Sequence, residues 1–203
     1  MMKRIFAVMV GVLLLTGCVV PQPSEPVDPF GSMRQANGSV LWQQEYSFVP
    51  PETPWQLIDL NETDYSIAFM KTCRESYPCQ STLAYAEEPF GYSMDFEQRQ
   101  REFFKRFLWA SRVNFAEAEL SRTEVFGEEA LIARTEGIEP VQGHKVDVKV
   151  VFARRGERVV AFYYTQWRPE DGSYDKADVK DFDRFVENFR FERPSFYQRL
   201  LAD

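Results

Sequence analysis

The chain has 203 residues, with 24 basic and 31 acidic side chains and a formal net charge of −7. That balance excludes a broad basic field for gripping nucleic acid or anionic lipid. A hydrophobic content of 44%, with eighteen Phe, nine Tyr and four Trp, excludes a wholly disordered chain and calls for one core built from large rings.

From the N-terminus, Lys3-Arg4 and the apolar run Ile5 to Leu15 form the basic and hydrophobic regions of an export signal. The run is too short to span a bilayer, which needs about 20 residues. It ends in Leu15-Thr16-Gly17-Cys18, which resembles the lipobox of bacterial lipoproteins. The resemblance implies that residues 1–17 are removed as a signal peptide and that the sulfur of Cys18 carries a diacylglyceryl group. It further implies a third acyl chain, such as palmitate, on the new amino terminus. Two or more chains hold a protein to a membrane where one holds it only marginally. Val19 follows; an Asp there would resemble an inner-membrane retention signal, so the outer membrane, facing the periplasm, is expected. Loss of Lys3 and Arg4 with the signal leaves 22 basic against 31 acidic residues, a net of −9.

Residues 18–39 begin with four prolines between Pro21 and Pro29 and read as an extended tether. The domain is expected over 40–193, with 194–203 as a C-terminal tail. Val40 to Val49 alternates as one strand, with Val40, Trp42, Tyr46 and Phe48 on one face. Trp55 to Leu60 reads as a second strand, and Tyr65–Thr72 with Ser81–Ala86 as a strand pair. The connection of that pair carries Cys73 and Cys79. With Cys18 lipidated, these two cysteines in an oxidising compartment favour a disulfide, worth about 2 kcal/mol by closing a small loop. Their spacing is not that of a thioredoxin-like motif, and His144, the single histidine, gives no zinc set.

Asp95 to Arg112 reads as a helix. Asp95 and Gln98 suit a capping box, and Phe96, Phe103, Phe104, Phe107 and Leu108 form an apolar stripe. Phe115 to Phe126 reads as a strand, Gly127-Glu128-Glu129 as a turn, and Ala130–Ala133 as a segment apolar on both faces. Val146, Val148, Val150 and Phe152 alternate along a strand that turns at Arg154-Arg155-Gly156-Glu157. The return strand, Arg158 to Trp167, is apolar on both faces, so the sheet must be covered on both. A closing helix over Asp175–Phe189, capped by Asp175 and Asp178, buries Val179, Phe182, Phe185, Val186 and Phe189.

This order of elements, ending in the Arg158–Trp167 strand, a Gly-Ser-containing loop and Phe182-Asp183-Arg184-Phe185-Val186-Glu187-Asn188-Phe189, resembles the Mog1/PsbP-like fold. The resemblance covers about residues 40–192 and is one of pattern, so no functional residue transfers. It implies an α+β fold in which a mostly antiparallel sheet is sandwiched between helices (α/β/α), and an accessory or binding role. The apolar runs Ile67–Met70, Ala130–Ala133 and Val159–Tyr164 lead to the same expectation, with one helix on each face and Phe104, Phe107, Phe182, Phe185 and Phe189 buried.

Candidate chemistry is sparse. Asp171-Gly172-Ser173-Tyr174-Asp175 starts like a calcium loop but lacks the glycine at position 6 and the acid at position 12, leaving a turn and helix cap. Glu128, Glu129, Glu136 and Glu139 are close enough in sequence for an acidic patch. His144 has no identifiable nucleophile beside it, and no nucleophile elbow, zinc helix or phosphate loop is present. Tyr163, Tyr164 and Trp167 could line a ligand pocket, although core packing explains them too. The expected function is a membrane-anchored envelope lipoprotein, non-catalytic, with no cofactor and no nucleic-acid partner, that binds a protein. The alternative is a small-ligand or metal-binding envelope carrier.

Overall fold

A computed structural model of the chain describes residues 28–58, 66–73, 79–88, 98, 101–102, 112–155 and 158–193. The chain divides into two compact units, Met1–Gly31 and Ser32–Asp203. Cys18, Phe104, Phe107 and the tail 194–203 lie outside the described residues. In the second unit, hydrogen-bonded structure is already present before Val40: Gln35 N donates to Ser39 O at 2.7 Å, and the buried Ser39 hydroxyl donates to Gln35 and Asn37.

Eleven strands are described: β1 Val40–Trp42, β2 Tyr46–Phe48, β3 Gln56–Leu57, β4 Ile67–Thr72, β5 Gln80–Glu88, β6 Asn114–Phe115, β7 Glu119–Val125, β8 Glu128–Ile138, β9 Lys145–Arg155, β10 Arg158–Arg168 and β11 Arg190–Phe191. One helix, α1, spans Lys176–Asn188. The main sheet runs β3-β4-β5-β10-β9-β8-β6, with β7 also on β8, and each of its pairs is antiparallel. A small sheet, β1-β2-β11, carries the chain end that leaves α1.

The helix-sandwiched α/β/α arrangement is not what forms. The fold is a mostly antiparallel β-structure in which α1 is the one α-helix whose full span lies among the described residues. Of the helix expected over 95–112, Gln98, Arg101 and Glu102 are helical and the rest lies outside those residues. On the α1 side, Phe182, Phe185 and Phe189 are buried, as the stripe requires. They meet Tyr164, Phe162, Phe69 and Tyr85, with ring centroids 4.6–6.2 Å apart. The small sheet adds Tyr46 and Phe48 to the same layer. On the opposite face Ala68, Ala84, Leu131, Val148, Val150, Phe152, Ala161 and Tyr163 form a second buried cluster. Ile58, Phe115, Ala118 and Trp167 pack against it from strand ends and connections rather than from a helix.

Local differences have physical causes. The expected strand Val40–Val49 folds back on itself because Gln43 and Gln44 take positive φ of 50° and 57°, pairing Val40 with Phe48. Glycine or asparagine, the residues that normally mark such a turn, are absent. The turn expected at Gly127-Glu128-Glu129 sits one residue earlier, at Phe126-Gly127, and β8 starts at Glu128. Gly137 lets β6 cross β8 closely: a Cβ there would fall 2.6 Å from Val113 Cγ1 and 2.9 Å from Asn114 O.

Candidate functional site

The two ends of α1 are built differently. At its N-terminus Asp175 is the N-cap and its carboxylate accepts from Ala177 N at 2.8 Å. That bond holds the Asp175 carboxyl below its ordinary range, opposed by burial and helped by Lys71. Gln166 on β10 clasps the same residue, accepting from Asp175 N at 2.8 Å and donating to its carbonyl at 2.9 Å. Asp178, expected as a second cap, instead turns inward and is fully buried. Its carboxylate accepts from Lys71 Nζ at 2.5 Å, from the Ser81 hydroxyl, and from Arg168 Nη2 at 3.3 Å. Arg168 also donates to Ser81 Oγ at 3.0 Å and to Gln80 O at 2.8 Å. Burial works against the Lys71 ammonium, but the bond and charge of Asp178 outweigh it and raise its pKa. Two cations and one hydroxyl thus converge on one buried carboxylate, with Lys71 reaching out of the cluster to Asp175 at 3.4 Å as well. That is a structural lock rather than a reactive site.

At the C-terminal end the surface opens. A cavity of about 570 Å³ is lined by Glu124, Val125, Phe126, Val186, Glu187, Arg190 and Phe191. A second, of about 610 Å³, is lined by Phe126, Glu128, Arg154, Arg155, Phe191, Glu192 and Arg193. They share Phe126 and Phe191 and form one groove between the β7–β8 turn and the strand leaving α1. Phe126 occupies the left-handed region with φ of 58°, which costs a side-chain-bearing residue about 1–2 kcal/mol. Gly127 beside it, at φ of 75°, takes the same region without that cost. Packing holds the Phe126 ring against Phe191, 5.1 Å away edge-on, and Phe162, 5.9 Å away.

Arg155 supports the far wall. Its guanidinium stacks 4.0 Å above the Phe191 ring, pairs with Glu87 at 2.6 Å and donates to Arg193 O at 2.7 Å. Tyr85 donates to the same Glu87 carboxylate at 2.5 Å; burial first, then Glu87, holds the Tyr85 phenol well above its ordinary range. Tyr46, also pushed up by burial, lies at about 12. Neither phenol is a proton donor of useful acidity near neutral pH.

The residues expected to matter fall as follows. Cys73 and Cys79 are disulfide-bonded, with Cα atoms 5.1 Å apart. Tyr163, Tyr164 and Trp167 line neither cavity. Tyr163 and Trp167 belong to the cluster opposite α1, and Tyr164 packs on Phe182 beneath α1. Alternation along β10 separates them, as it must for consecutive residues. Glu128, Glu129, Glu136 and Glu139 are strung along β8 and its exit without converging. Glu129 pairs with Arg122, and Glu139 accepts from Val141 N and Gln142 N. His144 sits 3.9 Å from Glu139. No group of three or more metal-ligating side chains occurs among the described residues. Asp147, with Lys149 a polar position of the alternating strand, carries no site signal in the sequence. It is buried, one carboxylate oxygen has no hydrogen-bond partner, and burial, only partly offset by Arg134, raises its pKa.

No family model matches the chain, and no curated protein matches it. Among solved structures, it is similar to cyanobacterial PsbP from Synechocystis sp. PCC 6803. That match has 14% identity and a TM-score of 0.47, covering 84% of this chain and 99% of that one. It is also similar to a Pseudomonas aeruginosa protein of unknown function described as a putative regulator. There the identity is 13% and the TM-score 0.40, over 73% of this chain and 95% of that one. A Bacteroides thetaiotaomicron protein matches at 12% identity and a TM-score of 0.39, with 73% of this chain against 45% of that one.

Proposed function

We propose that the protein is a non-catalytic cell-envelope lipoprotein, held at the outer membrane through Cys18, whose PsbP-like domain binds a protein partner in the groove around Phe126 and Phe191. The reading of the anchor rests on Lys3-Arg4, the apolar run and Leu15-Thr16-Gly17-Cys18. Residues 1–17 are the signal and the proline-rich stretch after Cys18 is the tether, which lets the domain reach a partner away from the bilayer. The observation that carries the binding role is the strained Phe126 at the meeting point of the two cavities. A strained backbone that packing keeps in place marks a surface shaped for more than stability. Aromatic rings and arginines side by side are also the composition of binding hot spots.

The test compares cells expressing wild-type protein with cells expressing Glu187→Arg/Arg154→Glu, two exposed groove positions of opposite charge. Crosslinked membranes should yield one defined adduct for the wild type and lose it for the variant, while the level of mature protein is unchanged. Equal recovery of that adduct from both would contradict the groove as the binding surface. In parallel, Cys18→Ser should move the protein out of the membrane fraction or stall its processing. Unchanged membrane association with unchanged mature mass would refute the anchor.

A further inference from the structure

We infer that β7 is a homotypic docking edge: two copies of this chain join antiparallel along Glu119–Val125, with a two-fold axis at Thr123. Among the described residues β7 is hydrogen-bonded on one side only, to β8. Its seven residues are exposed or half-exposed throughout, and Leu120, an apolar side chain, is 42% exposed. Alternate residues of such a strand turn N–H and C=O away from the sheet, which is the template that strand addition uses.

The sequence of the edge selects the partner. A two-fold axis perpendicular to the sheet keeps each side chain on its own face, so the central pair must be a residue opposite itself. Centring on Arg122 sets Arg122 against Arg122, and centring on Glu124 sets Glu124 against Glu124; both oppose like charges. Centring on Ser121 pairs Leu120 with Arg122 and leaves Glu124 beyond reach of a cation directly opposite. Centring on Thr123 pairs Arg122 with Glu124 of the second copy, twice, and Ser121 with Val125. It also brings exposed Leu120 beside the Phe126 turn of the second copy. One register therefore satisfies charge and apolar area together. Arg122 also meets Glu129 at 2.6 Å on the surface. This inference does not rest on the lipid anchor or on the proposed groove partner, although its edge shares Glu124, Val125 and Phe126 with that groove.

Cysteine crosslinking of the full-length protein in intact cells tests it. Directly opposite residues of an antiparallel pair have Cα atoms about 4.5–5.5 Å apart, within the range of about 4.4–6.8 Å that a disulfide accepts. Thr123→Cys should therefore give a covalent dimer on mild oxidation. Ser121→Cys should not, because the two copies of residue 121 would be offset by four positions, about 13 Å. In the Thr123→Cys background, Glu124→Arg should cut the dimer about tenfold, and adding Arg122→Glu should restore it. No dimer from Thr123→Cys, equal dimer from both cysteine positions, or indifference to Glu124→Arg would each overturn the proposal.

Discussion

The two ends of α1 make opposite use of charge. At Asp178 the carboxylate is fully buried and is answered by Lys71, Ser81 and Arg168, so its charge is satisfied within the fold. At Glu187 and Arg190 the helix runs out beside two open cavities, over an aromatic floor fixed by a strained Phe126. One end gives the helix its position on the sheet. The other uses that fixed position to present a shaped surface. A sealed network costs nothing in specificity because nothing needs to enter it, whereas a binding surface must leave some of its surface unsatisfied until a partner arrives.

Breaking the closed end should cost most. Asp178→Ala leaves the buried Arg168 without its carboxylate and Lys71 with Asp175 alone, a loss of about 3–5 kcal/mol, read as a lower midpoint in urea unfolding. If the midpoint holds, the network is not what locates the helix. Phe126→Gly acts at the open end and has two opposing terms. It relieves the left-handed backbone and removes the ring from Phe162 and Phe191, so stability should fall by no more than about 1–3 kcal/mol while crosslinking to the partner is lost. A fall as large as that of Asp178→Ala would make Phe126 a core residue and erase the contrast.

Asp147→Asn sharpens the comparison through pH. A carboxyl with a raised folded pKa binds more protons folded than unfolded, so wild-type stability should rise as pH falls from neutral through that raised value toward the unfolded value of about 3.9. Asparagine should flatten this segment of the profile and raise stability at neutral pH. An unchanged slope would show that Asp147 is not charged and strained in the fold. Asp175, whose pKa is lowered, has the opposite sign: its contribution is present above about pH 3.9 and is lost as pH falls through its folded pKa. The smallest expected effect is Glu187→Arg, an exposed substitution that should change stability by less than about 0.5 kcal/mol yet alter partner capture.

Much of the strand order was readable because alternation and turn residues agree. Val146–Phe152 turning into Arg158–Trp167, and the stripe Phe182, Phe185, Phe189, sit where their periods put them. The groove was not readable. It depends on Phe126 adopting a turn conformation normally left to glycine or asparagine, and on Phe191 leaving α1 as a strand, neither of which has a local sequence signal. Asp178 was misplaced because an acid in a first helical turn satisfies a cap pattern whether it points out or in; only the tertiary neighbours Lys71, Ser81 and Arg168 decide. Tyr163, Tyr164 and Trp167 read as a pocket when taken as neighbours in sequence, but the pleat sends them to different faces.

The most direct test places a photoactivatable side chain at one position per cell strain, at Glu187 beside the groove or at Lys180 near the closed end of the same exposed helix. The account predicts a single discrete adduct from Glu187 and none from Lys180. Adducts of the same mass and yield from both positions, or from Lys180 alone, would contradict it.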